Sequence, residues 1–401
     1  MSQGVFAGLD PATGRNNCVY NNNTFGTASG FSVAALSSQA ISDISQTTTT
    51  QTLEAVRERR IQETERCPVG FVRENGECVR VRRAEPRPAP RQNIAVVKAP
   101  PAEPLAISPI SPAVWFHTFG DYERRTNLSP QAQDNFGNTV NLTSRTLSAG
   151  VLGGTDLTFR GLTSSADALV LGVMGGYTTS EIQFGGTPNT NVKAQLEGPS
   201  AGVYATYFNG GFSTDASFKA DFFHLNEDFS EVFPPSVNNG TTLTATVNGS
   251  AVVQSTNLIT AANINYKFFF NDYWIEPTVG FRYTTVSYSN DAQLLGLTDG
   301  HFYRVQGGAR FGTSFLWNSI RVTPTVTGLL YSDLDIQGLV LQDTFFTPTL
   351  LPSDEGKLRA QGILAVNFDL GLGLSSFVQA EFRGGQDLFG ATGKLGVRYQ
   401  F

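Results

Sequence analysis

The strongest constraint in this chain is a period of two. Over residues 391–401, Leu395, Val397, Tyr399 and Phe401 share one parity, and Lys394, Arg398 and Gln400 the other. Over 374–384, Val378, Ala380 and Phe382 alternate with Gln379, Glu381 and Arg383. Over 357–370, Leu358, Ala360, Leu364, Val366 and Phe368 alternate with Arg359, Gln361, Asn367 and Asp369; over 301–316, Tyr303, Val305, Ala309 and Phe311 alternate with Arg304, Gln306 and Arg310. Side chains of a β-strand point to opposite faces in turn, so each segment reads as a strand with one apolar and one polar face. Further strands fall at about 113–125, 145–159, 167–181, 195–208, 211–227, 253–269, 272–288 and 319–333, twelve in all.

Two facts decide which face points outward. No run approaches the 18 apolar residues that a membrane-spanning helix needs. Yet charged residues are only 15% of the chain, against 41 glycines and 30 phenylalanines, a balance suited to a wall with lipid on one side and water on the other. An Arg or Lys facing mid-bilayer costs about 2–4 kcal/mol, so the charged face must be the lumen. The opposite arrangement, a soluble barrel with an apolar inside, rarely exceeds about ten strands. The fold class is therefore all-β: a 12-stranded antiparallel transmembrane barrel over 113–401. Its connections alternate in length. Those near 160–166, 209–210, 270–271, 317–318 and 371–373 are short, and those near 126–144, 182–194, 228–252, 289–300 and 334–356 are long. That asymmetry assigns the short set to the periplasm and the long set to the cell surface. Aromatic groups flank the short turns: Tyr207 and Phe208; Phe268, Phe269, Phe270, Tyr273 and Trp274; Phe315 and Trp317. They read as one interfacial girdle, with Tyr177, Phe222, Tyr283, Phe302 and Tyr303 as candidates for the other.

Upstream the pattern changes. Residues 1–30 carry no periodicity and read as irregular. Val33, Leu36, Ala40, Ile44, Leu53 and Val56 lie near helical spacing, so a helix is expected over 31–66, weakest at Thr47–Thr50. Cys67 and Cys78 bracket a stretch containing Asn75-Gly76, so 67–83 is expected to form a small hairpin closed by a disulfide, with Cys18 left over. Residues 84–112 are dense in proline and read as an extended linker. Arginines over 57–91 interleave with glutamates, the pattern of a solvated face rather than a nucleic-acid site. The start lacks a basic and hydrophobic leader, which an exported protein should have had upstream or had removed.

Candidate functional residues lie on the inward parity. Lys267, Arg282, Arg304, Arg310, Arg321, Arg359, Arg383, Lys394 and Arg398 form a basic wall; Asp121, Asp215, Asp221, Glu276, Asp369 and Glu381 are the opposing acids. The excess of bases implies internal salt bridging, an anion-preferring lumen, or a docking surface for a plug. Enzyme chemistry is not expected. His117, His224 (near Glu227 and Asp228) and His301 (after Asp299) come without a nucleophile motif, and no metal or cofactor pattern is present.

The terminal stretch Gly390–Phe401 resembles the end of autotransporter β-domains, the translocators of type V secretion. Trp274-Ile275-Glu276-Pro277-Thr278-Val279-Gly280-Phe281-Arg282-Tyr283 resembles their Glu-Pro-containing strand, and Val114-Trp115 ahead of Phe119-Gly120 their first strand. The resemblance implies an outer-membrane translocator, here with little or no passenger, embedded in lipid and lipopolysaccharide. It also implies that Leu395, Val397, Tyr399 and Phe401 are read by the barrel assembly machinery. The chain departs from the family where a pore-threading helix normally precedes the first strand, because a proline-rich linker stands there. A porin-like channel whose N-terminal arm binds the cell wall or self-associates, and a surface protein acting through its long loops, are the alternatives.

Overall fold

The structure is a computed structural model that describes residues 4–9, 16–21, 71–74, 77–80, 110–126, 132–133, 139–140, 143–163, 167–184, 190–238, 241–270, 273–290, 292, 299–318, 320–337, 356–385 and 387–401. Twelve long strands make the barrel: β1 (Ile110–Arg125), β2 (Ser144–Arg160), β3 (Asp167–Phe184), β4 (Thr190–Asn209), β5 (Phe212–Asn238), β6 (Thr241–Tyr266), β7 (Tyr273–Asn290), β8 (Gly300–Thr313), β9 (Ile320–Gln337), β10 (Arg359–Gly371), β11 (Leu374–Gly384) and β12 (Leu388–Gln400). Each pairs antiparallel with its sequence neighbours, and β12 returns to β1, so the sheet has no free edge. Phe268–Phe270 continues β6 beyond Lys267 against β7, and Phe315–Trp317 continues β8 against β9. Closure is in register from Leu388 opposite Arg125 to Gln400 opposite Ala113, and the Phe401 N–H donates to the Pro112 carbonyl at 3.0 Å.

Alternation sets which residues line the inside. On β12 Thr392, Lys394 and Arg398 are buried while Leu395, Val397 and Tyr399 are exposed; on β10 and β11 the same split recurs. Exposed Val114, Phe116, Val173, Val203, Phe218, Leu258, Val279, Val305, Val326 and Leu364 continue the apolar belt around the outside. Burying such side chains in water-free surroundings is worth roughly 25 cal/mol per Å² of apolar area, so the belt commits the exterior to lipid.

Tight turns close one end. They use left-handed residues at Gly161, Gly210, Asn318 and Leu372, the last held between Gly371 and Gly373. At the first turn the Asp167 carboxylate accepts from the Leu162 and Thr163 backbone N–H groups, both at 2.8 Å. Ile110 and Phe401 lie at this same turn end.

Several boundaries differ from the sequence expectation. β1 starts at Ile110, inside the expected linker, and takes in Pro112, whose missing N–H is tolerable near a strand end. β5 and β6 are 27 and 26 residues long and pair through the region expected to be a loop, with a register shift between Phe233 and Ser236. Phe208, Trp274 and Phe302, expected in the girdles, are buried inside. Within 1–30, Gly4–Leu9 pairs with Asn16–Asn21. Phe71–Glu74 pairs with Glu77–Arg80, placing Cys78 opposite Arg73. Cys67, the expected helix over 31–66 and linker residues 84–109 lie outside the described residues, which contain no α-helix.

Candidate functional site: the barrel lumen

The lumen has two kinds of wall. Across β1–β4 it carries an aromatic and apolar cluster set among buried polar side chains. Leu152, Val170, Met174, Tyr204 and Phe208 form a buried cluster with Trp115 and Ala168 against it. The rings lie across neighbouring strands, and glycine makes room for them. A Cβ on Gly172 would collide with the Tyr204 ring, and one on Gly154 would come within 2.6 Å of the Trp115 indole. The polar tips are satisfied in a relay: Trp115 Nε1 donates to the Tyr204 hydroxyl at 2.8 Å, which donates to Asp156 at 2.9 Å. Arg398 approaches the other Asp156 oxygen at 3.8 Å.

From β8 round to β1 the wall is ionic. Arg304 makes a bidentate pair with Asp333, opposite it on β9, at 2.6 and 2.8 Å. Arg383 reaches over β12 to Asp121 at 2.8 Å and Glu123 at 3.1 Å on β1, while its other nitrogen donates to Glu381 at 3.0 Å. Thr392 donates to Asp121, Arg125 holds Glu123 at 2.8 Å, and Lys394 lies 3.5 Å from Glu381. This cluster spans the seam where the barrel closes. Between the two walls, an amide belt crosses four strands. Asn263 donates to Asp215 at 2.7 Å and accepts from Gln306 at 3.1 Å, and Thr278 donates to Asn265 at 2.6 Å. At the turn end the Lys267 ammonium sits 4.1 Å over the Trp274 ring, a cation–π contact.

All nine residues of the expected basic wall lie on the inward parity; Arg321 is half-buried and the others are buried. Among the acids, Asp121, Asp215, Asp221, Glu276 and Glu381 are buried and Asp369 is half-buried. The structure joins Arg383 to Asp121 and Glu381, sets Arg310 3.8 Å from Glu276, and places Arg321 opposite Asp369. Asp221 pairs with Lys219 at 2.8 Å. The structure also brings in carboxylates that the sequence reading did not count: Glu123, Asp156, Glu227 and Asp333. Among the described residues, ten buried acids stand against ten buried Lys and Arg, and all but the turn-capping Asp167 face inward. For Glu123 the signal was present, since it shares parity with Asp121 and Arg125 on one strand.

The histidines do not converge. His117 is buried in the lumen, stacked on Trp115 with centroids 5.7 Å apart. His224 is on the outer face, near Gln254 at 3.5 Å, while Glu227 is buried inside. His301 approaches Asp335 at 3.8 Å; Asp299 instead accepts from the Tyr288 backbone at 2.8 Å. Among the described residues no His, Cys, Asp and Glu group could hold a metal ion. Leu395, Val397 and Tyr399 face outward, and the exposed Phe401 ring packs edge-on against Tyr399 at 4.9 Å.

Three solved barrels can be set beside this architecture. The β-domain of the Bordetella autotransporter BrkA is 18% identical, with a TM-score of 0.50, over 73% of this chain and 100% of that one. The transport unit of the autotransporter AIDA-I from Escherichia coli is 14% identical, with a TM-score of 0.49, over 72% and 90%. The translocator domain of the autotransporter NalP from Neisseria meningitidis is 13% identical, with a TM-score of 0.47, over 73% and 88%. At 18% identity the likeness to the BrkA domain speaks to fold alone. No curated protein matches the chain. A family model described as the autotransporter beta-domain, however, matches residues 114–381, from β1 into β11. A closed twelve-stranded barrel, an apolar exterior and a match over most of that barrel together establish that this chain belongs to the autotransporter β-domain family of the bacterial outer membrane.

Proposed function

We propose that the barrel passes chain upstream of Ile110 from its turn end to its loop end, and that the turn end faces the periplasm. The observation that carries this reading is the near-parity of buried charge in the lumen. Cross-strand pairs consume the fields of Arg304, Arg383 and their neighbours, leaving a wall without the net potential that sorts small ions. A lumen of this kind suits a polypeptide of mixed composition better than a selective solute. It also supports transport rather than enzymatic chemistry as the role of the domain. Because β1 begins at the turn end, upstream chain meets the barrel at that mouth. The outward row Leu395, Val397, Tyr399 and Phe401 is the part we assign to recognition by the barrel assembly machinery.

Two labels test the reading on intact cells. With Asn239→Cys and Asn318→Cys variants, a membrane-impermeant thiol reagent should modify the first and spare the second. A peptide tag placed within residues 1–30 should become accessible to external protease. A tag protected from protease in cells whose barrel is correctly oriented would favour a periplasmic arm, and with it the porin-like reading.

A further inference from the structure

Outside the lumen, one pair of charges lacks partners among the described residues. Arg124 on β1 and Arg145 on β2 are exposed on the outward parity and sit directly opposite each other in the antiparallel register. Neither side chain has an ion pair or hydrogen bond among the described residues. Like charges directly opposed across a sheet are destabilising, so this arrangement calls for a counter-charge. Their height on the barrel says where that charge comes from. On β1 the outward run Val114, Phe116, Thr118, Gly120, Tyr122 ends at Arg124; on β2 the run Leu157, Thr155, Gly153, Val151, Ala149, Leu147 ends at Arg145. Each arginine is thus the first charge beyond the apolar belt, at the loop end, where lipid headgroups begin. Immediately below them, on the apolar side, lies an outward groove of about 620 Å³ floored by Gly120, Ala149 and Ala391 and flanked by Tyr122 and Leu147. Its far side is polar, lined by Thr179, Glu181 and Gln195, and the Glu181 carboxylate is engaged by Gln183, whose amide donates to it at 2.8 Å.

We propose that Arg124 and Arg145 clamp a phosphate of an outer-leaflet phosphoglycolipid, the lipid A moiety of lipopolysaccharide, and that one of its acyl chains lies in the groove beneath. The guanidinium fork matches phosphate oxygens bidentately, and a phosphate between two arginines converts their repulsion into attraction. The small residues that floor the groove let an alkyl chain approach the backbone, and the exposed Leu147 and half-buried Tyr122 give it apolar sides. The orientation rests on the proposed topology, in which the loop end faces the cell surface. The binding chemistry does not depend on that topology and can be measured in detergent.

The test uses the full chain, stripped of lipid in non-ionic detergent, and reads its thermal unfolding midpoint. Bis-phosphorylated lipid A should raise the midpoint by several degrees. Dephosphorylated lipid A and inorganic phosphate alone should each do markedly less. In Arg124→Gln/Arg145→Gln the half-saturating lipid concentration should rise about tenfold or more, the loss expected for charge-assisted hydrogen bonds. Without lipid, the same variant should melt at or above the wild-type midpoint, because the repulsion is gone; this keeps a folding defect apart from a binding defect. The proposal is overturned if the variant and wild type saturate alike, if dephosphorylated lipid A is as effective, or if inorganic phosphate alone reproduces the shift. Correct cell-surface topology together with unchanged lipid A binding in the variant would sink this site while leaving the translocator reading intact.

Discussion

The two walls of the lumen solve one problem by different means. Inward side chains must fill or line a space from which lipid is excluded and where polar groups have few partners. On β1–β4 the solution is steric: rings such as Trp115 and Tyr204 lie across the sheet over glycines of the next strand. From β8 to β12 and on to β1 the solution is electrostatic: Arg304 is answered by Asp333 on the next strand, and Arg383 by Asp121 and Glu123 across β12 and by Glu381 on its own strand. In both cases the partners lie on the same strand or one to three strands away round the wall. The wall is therefore stiffened laterally.

The sharpest way to break this contrast is to remove the centre of the ionic wall. Arg383→Leu leaves Asp121, Glu123 and Glu381 buried beside one another, and losing one partner of a buried ionic group costs about 3–5 kcal/mol. The heat needed to unfold the barrel in detergent should fall steeply, and adding Asp121→Asn and Glu123→Gln to the same chain should recover much of it. On the steric wall, Gly172→Val should cost about 1–3 kcal/mol through overpacking. Combining it with Tyr204→Ala should cost less than the two changes added together; simple additivity would mean the ring and the glycine are not coupled. A subtler effect concerns ions. Reversal potentials under a salt gradient should show weak selectivity in the wild type, and Asp333→Asn, which unpairs Arg304, should move them toward anions. A strong anion preference in the wild type would show that the basic wall, not the balance of charges, sets the field. The smallest effect on stability is expected at Phe401, which is 69% exposed. Phe401→Ser should change unfolding by less than about 0.5 kcal/mol, the usual range for surface positions, yet lower the amount of barrel reaching the outer membrane.

Much of this was legible in the sequence wherever strands cross the bilayer. There one side meets lipid and the other does not, so residues such as Val378 and Gln379 must alternate, and the alternation of β8 and β10–β12 fixes their facing. The signal fades once a strand leaves the membrane. From Ser230 to Thr246 polar residues occur on both parities, so no period of two marks a strand there, yet β5 and β6 stay paired over 230–238 and 241–246. The same limit hid Asp333, at the very end of its expected strand, and Asp156, which follows Gly153-Gly154-Thr155 where the pattern is blurred. Trp274 misled for a different reason. Its amphipathic ring suits an interface, but here the Lys267 ammonium offers it a partner inside.

The pairing of β12 with β1 carries a consequence for how such a cylinder is made. Its two faces of contact are the first and last pieces of the domain to leave the ribosome, and about 260 residues separate Arg383 from the carboxylates it grips. Until the final strand is delivered, every earlier strand can find its neighbour, but the growing sheet keeps two raw margins whose amides and carbonyls are unmet. Hydrocarbon cannot satisfy those groups, so the unfinished sheet cannot rest alone in the bilayer. The last residues to arrive act as a clasp, and the Arg383 cluster is its catch: a lock that engages only when both margins are already in register.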